Sequence, residues 1–348
     1  MQVAPQNKKR SSNLELYRII VMFFIVCHHY VVNSGLTSVM HLYPLGIKTI
    51  FLSLWGMWGK VGINCFVLIT GYFMCKKSIS LRKFLKLLLQ IEFYNIIIYS
   101  IFVLSGYTDF NIIQFTKAVL PVTKITNNFT ACFLLFYLCI PFLNIFVNGM
   151  NKKQHAQCIL LALFIYSILG HVFEISMNYV SWFCILYIIA SYIRFYGVFK
   201  EASVRFWGNM TLLCSIMAML SVCFMRAIFN KGMYFFVADC NKLLGVMVAV
   251  SSFCLFKNLK IKHNSLINYV GACTFGVFLI HTRGDLMRTW LWKDFFDNVG
   301  WYNSDYFLLH ALSVPLAIFI IGVIVDSLRS KYLESPALDF TMKMVKGS

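Results

Sequence analysis

Phe129-Thr-Ala-Cys-Phe-Leu-Leu-Phe-Tyr-Leu-Cys-Ile-Pro-Phe-Leu-Asn-Ile-Phe-Val147 runs for 19 residues without a charged side chain. About 20 predominantly apolar residues in a helix cross the roughly 30 Å of bilayer hydrocarbon. A chain in that medium must satisfy its own backbone hydrogen bonds, which selects the helix. Comparable runs lie on either side: Leu16–Asn33, Gly46–Met74, Phe84–Leu104, Cys158–Val172, Asn178–Ile193, Met210–Phe229, Phe235–Leu255, Leu266–Ile280 and Tyr306–Val325. The fold class is therefore all-α, a polytopic transmembrane helix bundle of about ten spans.

Composition points the same way. Of 348 residues, 59% are hydrophobic and 13% charged, whereas a soluble domain is about one quarter charged. The formal net charge of +18 raises nucleic-acid binding, but the distribution of the charge excludes it. The basic residues sit in short segments between apolar runs, as in the loops of a membrane protein. Nearly all of the 12 cysteines fall inside the spans and no C-x-x-C pair occurs. They read as small buried hydrophobes, and no metal site is expected.

Cytoplasmic loops carry an excess of Lys and Arg. With the N-terminus inside, the cytoplasmic segments hold Lys8, Lys9, Arg10; Lys76, Lys77, Arg82, Lys83, Lys86; Lys152, Lys153; Arg194, Lys200, Arg205; Lys257, Lys260, Lys262; and Arg329, Lys331, Lys343, Lys346, or 20 of 31 basic residues. Eight lie outside (Lys48, Lys117, Lys124, Arg226, Lys231, Arg283, Arg288, Lys293), while Arg18, Lys60 and Lys242 fall within spans. Both termini are predicted cytoplasmic. Residues 1–348 read as one integral-membrane domain, with an N-terminal tail at 1–13 and a C-terminal tail at 326–348. The first span, carrying Arg18 and two histidines and no small-residue cleavage site, reads as a retained helix rather than a signal peptide. Trp55, Trp58, Trp290, Trp292 and Trp301 are expected near the membrane interfaces.

Ionisable groups at membrane depth are expensive, so each marks a candidate site. Arg18 and His29 are eleven residues apart, which at 3.6 residues per turn is about three turns plus about 20°, with a rise of about 16 Å. They share a face of the first helix. Glu15, at i−3 from Arg18, can hold the guanidinium, and His28 points about 100° away from His29. Two readings of Arg18 stand side by side: a functional cation, or a side chain that snorkels to the headgroups. His29 lies about 20 Å along the span and needs a partner or a water-filled cavity. His281, Asp285 four residues later, and Asp239 with Asn241 and Lys242 fall in the outer half. Any of these acids, or His281, is a candidate to orient the His29 ring. The alternative for Asp239 and Lys242, at i and i+3, is mutual neutralisation.

The Arg18-x10-His29 pattern within Glu15-Leu-Tyr-Arg18-Ile-Ile-Val-Met resembles the first-helix motif of acyltransferase family 3, bacterial membrane enzymes that O-acylate envelope glycans. Val61-Gly-Ile-Asn-Cys-Phe-Val-Leu-Ile-Thr-Gly-Tyr-Phe73 is similar to the family's second-helix signature. Phe133-Leu-Leu-Phe-Tyr-Leu-Cys-Ile-Pro-Phe-Leu-Asn144, Trp182-Phe-Cys-Ile-Leu-Tyr187 and Thr274-Phe-Gly-Val-Phe-Leu-Ile-His281 are similar to later segments. Five signatures in order cover nearly the whole chain. One departure is that many members carry Trp where Asn128 stands here, so no aromatic role is expected at that point of the donor path.

The resemblance implies a catalytic His29 and an Arg18 that places an acyl-coenzyme A. It implies no bound cofactor, acetyl-coenzyme A as co-substrate, and a hydroxyl of a surface glycan or lipid-linked sugar as acceptor. The setting is membrane lipid, as a multi-pass protein of the bacterial cytoplasmic (inner) membrane. Physical chemistry adds that the donor is polyanionic, so Lys76, Lys77, Arg82, Lys83 and Lys86 are candidate donor-binding residues. The same run also reads as an ordinary topology signal. His29 is expected as a general base on the acceptor hydroxyl or as a transient acyl carrier. A secondary transporter, which also employs intramembrane Arg, His, Asp and Lys, is the alternative.

Overall fold

The computed structural model describes residues 10–120, 122, 128–173, 175, 177–197, 203–230, 232–237 and 239–346. Lys8, Lys9, Lys124, Lys200 and Lys231 lie outside the described residues. The described residues are mostly helical: α1 (Ser12–Val32), α2 (Leu36–Leu42), α3 (Ile47–Gly56), α4 (Gly59–Met74), α5 (Leu81–Leu104), α6 (Ile112–Val119), α7 (Phe129–Gly149), α8 (Lys152–Leu163), α9 (Gly170–Val172), α10 (Tyr179–Tyr196), α11 (Val204–Phe229), α12 (Leu243–Asn258), α13 (Ser265–Thr282), α14 (Gly284–Thr289), α15 (Phe307–Arg329) and α16 (Ser335–Lys346). A π-helical stretch, Phe164–Leu169, joins α8 to α9, so one continuous segment crosses there. Among the described residues, nine segments are long and apolar enough to span a membrane, and α12 is a shorter apolar helix. The protein is a multi-pass membrane helix bundle.

Side-chain caps start many of the helices. Ser80, Asn111, Asn128, Asn178, Ser203 and Asn264 each accept from backbone N–H groups of the first turn, satisfying donors that have no partner inside the helix. Asn151 and Gln154 form a reciprocal capping box on α8. At the helix seams the sequence supplies glycine. A Cβ at Gly271 of α13 would stand 2.6 Å from Glu15 Oε2, and one at Gly276 would stand 2.1 Å from Asp326 Cγ. Only a hydrogen at these positions permits the approach.

Contacts gather the ends of alternate spans at one face. Asn13 Nδ2 donates to the carbonyl of Phe256 at the end of α12 (2.9 Å). Asn144 of α7 donates to the Lys77 carbonyl beyond α4 (3.2 Å). Arg82 and Lys86 at the start of α5 pair with Asp339 (2.8 Å) and Glu334 (2.5 Å) after α15. At the opposite face Lys48 donates to the Tyr302 carbonyl (2.8 Å) and Asn230 to that of His41 (3.0 Å). The described basic segments around Lys77, Arg82 and Lys86 and after α15 thus share one face.

Two boundaries and one side-chain placement differ from expectation. The eighth predicted span begins at Phe235, but residues 233–237 form turns and α12 starts only at Leu243. Asp239, Asn241 and Lys242 are polar, and they line a small cavity instead of entering the span. The tail predicted from residue 326 opens as the last turns of α15. Asp326 and Arg329 are buried there, and the helix runs on through a π-helical turn into α16. Trp292 is no interface anchor: it is fully buried, edge-on to Tyr30 and His281.

Candidate active site

α1 and α13 pack side by side and parallel. Ser12 Oγ bonds Asn268 (3.0 Å) at one end, Glu15 faces Gly271 a turn further, and His29 meets His281 at the other end. His29 Nδ1 lies 2.9 Å from His281 Nε2. His281 Nδ1 lies 2.6 Å from the Val277 carbonyl, which can only accept, so His281 carries its proton on Nδ1. Its Nε2 is then an acceptor, and His29 donates to it from Nδ1. The relay leaves His29 Nε2 with its lone pair. This is the form a general base needs. His281 is fully buried, with Phe278 and Trp292 against its ring.

The His29 ring lines a cavity of about 1080 Å³ on the face opposite the basic loops. Helices α1, α4, α5, α10 and α13 contribute to its walls, together with the segment beyond α13. His28 lines it as well, contrary to the expectation that it turns away. Its Nδ1 donates to the Gly56 carbonyl at 2.5 Å. The ring packs so closely on Gly59 that a Cβ there would come within 2.2 Å of His28 Cγ. The break between α3 and α4 brings Gly59 and Lys60 to the cavity wall.

Of the other residues singled out in sequence, Asp285 lines the cavity and pairs with Arg288 at 3.6 Å. Asp239 lines a neighbouring cavity of about 510 Å³. It does not neutralise Lys242 through an ion pair. Lys242 Nζ donates instead to the Gly170 carbonyl (3.1 Å) and lies over the Phe235 ring. Arg18 does not line the His29 cavity. It donates to both oxygens of Glu15 (3.1 and 3.3 Å), and Arg10 approaches the same carboxylate at 3.4 Å. Lys76 and Lys77 lie over the rings of Phe195 and Phe73, Arg82 and Lys86 are ion-paired to the C-terminal segment, and Lys83 is exposed. These residues occupy the basic face, away from His29.

Several lining residues were given no role in the sequence, although Lys60 falls within a predicted span and carries the intramembrane-charge signal. Lys60 heads α4 and donates to the Tyr179 hydroxyl of α10, and both lie between the two cavities. Arg283 follows the last turn of α13. Burial lowers its guanidinium from the ordinary value, and Glu92 of α5 acts in the opposite direction. The intramembrane charge of Glu92 was a usable signal, since such a residue marks a site by default. Asn128 caps α7 and lines the cavity. Among the described residues no group of three or more His, Cys, Asp or Glu is placed to hold a metal.

A histidine pair set by a backbone carbonyl opens on a cavity of about 1080 Å³ inside a membrane helix bundle. The acyltransferase domain of acyltransferase family 3 matches residues 11–325, nearly the whole chain, and the protein belongs to that family. It is a membrane acyltransferase. No curated protein and no solved structure matches it.

Proposed function

We propose that the protein is an O-acetyltransferase of the bacterial cytoplasmic membrane. It takes the acetyl group of cytosolic acetyl-coenzyme A and delivers it to a hydroxyl of an extracytoplasmic or lipid-linked polysaccharide. The whole chain acts as one membrane domain, with the basic face and both termini in the cytoplasm, as the positive-inside rule reads that face. The observation that carries the reading is the Val277–His281–His29 relay, which supports a neutral base at the wall of a cavity on the acceptor side.

His29 Nε2 takes the proton of the acceptor hydroxyl as its oxygen attacks the thioester carbonyl carbon. The new C–O bond forms and the C–S bond breaks. The imidazolium then returns the proton to the leaving thiolate, which departs as coenzyme A thiol. His281 stabilises the imidazolium through the Nδ1 hydrogen bond, the part a carboxylate plays in a hydrolase triad. Arg18 and the Lys76, Lys77, Arg82, Lys83 and Lys86 run serve the donor phosphates on the cytoplasmic side. Glu15 pre-orients the Arg18 fork.

Protein reconstituted in proteoliposomes with labelled acetyl-coenzyme A and a surface-glycan extract tests the reading. Label is expected in glycan esters with wild type and not with His29→Ala. No glycan label and no turnover of acetyl-coenzyme A by wild type would overturn it.

A further inference from the structure

The cavity beside His29 is strongly cationic. Lys60, Lys117, Arg283 and Arg288 line it against a single carboxylate, Asp285, which is already paired with Arg288. Among the described residues, no carboxylate lies within 4.0 Å of Lys60, Lys117 or Arg283. Glu92 acts on Arg283 electrostatically without lining the cavity. Lys60 rests on the Tyr179 hydroxyl. The second cavity shares the Lys60 and Tyr179 wall and adds Lys242 and His171 against Asp239.

Lys117 is exposed, but Lys60 and Arg283 are partly out of water with no ion pair of their own, and cations so placed are costly. A neutral sugar repays none of that cost, because its hydroxyls are bound as well by uncharged donors and acceptors. A concave site with low-dielectric walls and one sign of charge concentrates anions instead. The donor is itself an anion, but the cavity lies on the face opposite the basic loops where the donor enters. The negative charge that complements this cavity therefore comes from the other substrate.

Resting on the O-acyltransferase reading above, we propose that the acceptor carries an oxyanion, phosphate or carboxylate, close to the hydroxyl that is acylated. Arg283 and Lys60 hold that group while the hydroxyl meets His29. The Arg283 fork suits either oxyanion. Lys60 sits one residue beyond Gly59, against which His28 packs, and so ties the charge to the histidine wall.

The test is binding to the full-length protein in nanodiscs of three short oligosaccharides that differ in one substituent: neutral, phosphorylated and uronate-bearing. At least one charged form is expected to bind about tenfold tighter than the neutral one. The advantage shrinks in high salt and falls to within about twofold in Arg283→Gln, with Lys60→Gln as the second variant and Arg283→Lys recovering part of it. A phosphate preference and a uronate preference distinguish the two oxyanions. Equal affinity for all three overturns the proposal. So does loss of coenzyme A affinity in Arg283→Gln with acceptor preference intact, because the anion would then be the donor's. Acetyl transfer measured alongside reports on the enzymatic reading separately: an active enzyme without charge preference sinks only this inference.

Discussion

His29 Nδ1 and His281 Nε2 lie 2.9 Å apart although 252 residues separate them in the chain. Because the Val277 carbonyl holds the proton on the far side of His281, the pair works in one direction only. His29→Ala is expected to remove transfer, a loss of about 10²–10⁴ if His29 is the general base. His281→Ala removes the hydrogen bond that orients His29 and stabilises its imidazolium, and lowers kcat by about tenfold to a hundredfold, with KM for acetyl-coenzyme A little changed. His28→Ala keeps most of the activity, since its Nδ1 serves the Gly56 carbonyl. Steady-state kinetics on folded variants check this, and equal losses at His28 and His29 would argue against it.

Arg18→Lys separates donor binding from anchoring. Lysine keeps the charge but loses the planar fork that Glu15 holds through two oxygens. One lost charge-assisted bond to the donor costs about 1.5 to 3 kcal/mol, or about tenfold to a hundredfold in acetyl-coenzyme A affinity. Glu15→Gln is expected to shift affinity in the same direction by less. Unchanged affinity and turnover in Arg18→Lys leave Arg18 as a snorkelling anchor.

Single cysteines placed in the segment between Cys75 and Lys86 and in the one from His281 to Asp305 report sidedness in whole cells. The later segment is expected to react with an impermeant thiol reagent and the earlier one to be protected. The opposite pattern would invert the donor and acceptor faces together.

Asp326 Oδ1 accepts from Gln90 (3.1 Å), Tyr94 (2.9 Å) and Arg329 (2.8 Å) in a buried cluster. Asp326→Ala leaves the Arg329 charge short of its nearest partner, which costs about 3–5 kcal/mol. Gly276→Ala drives a Cβ into the same carboxylate and costs about 1–3 kcal/mol. Arg82→Ala breaks an ion pair that is about half exposed on each side and costs no more than about 1 kcal/mol. Thermal unfolding in one detergent ranks the three. A midpoint for Asp326→Ala no lower than that for Arg82→Ala would refute the ranking.

The spans were legible because a bilayer demands an apolar run of fixed length, which leaves its mark residue by residue. Arg18 and Glu15 were legible as a pair for a similar reason, since i and i+3 on a helix are neighbours whatever surrounds them. The His281 partnership was visible only as one candidate beside the acids Asp285 and Asp239, because nothing local distinguishes His281 from Asp285 as the group that reaches His29. Periodicity likewise turned His28 away from the cavity, whereas the α3–α4 break wraps the wall around to it. The burial of Trp292 and the depth of Asp326 depend on which helix lies opposite, and a single strand of sequence does not encode that in any short window.

The parallel seam of α1 and α13 also sets an order of assembly. At roughly 5–20 residues per second, the ribosome needs about 13 to 50 s after His29 to deliver His281, which follows it by 252 positions. Through that interval the first helix waits in the bilayer with its ionisable face, Glu15 and Arg18 included, uncovered by the neighbour that will finally shelter it. Early surroundings, such as α4 with Gly62 against Ile25, or the insertion machinery itself, must chaperone that face until the ninth span arrives. The histidine relay is thus among the last features of the nascent protein to exist.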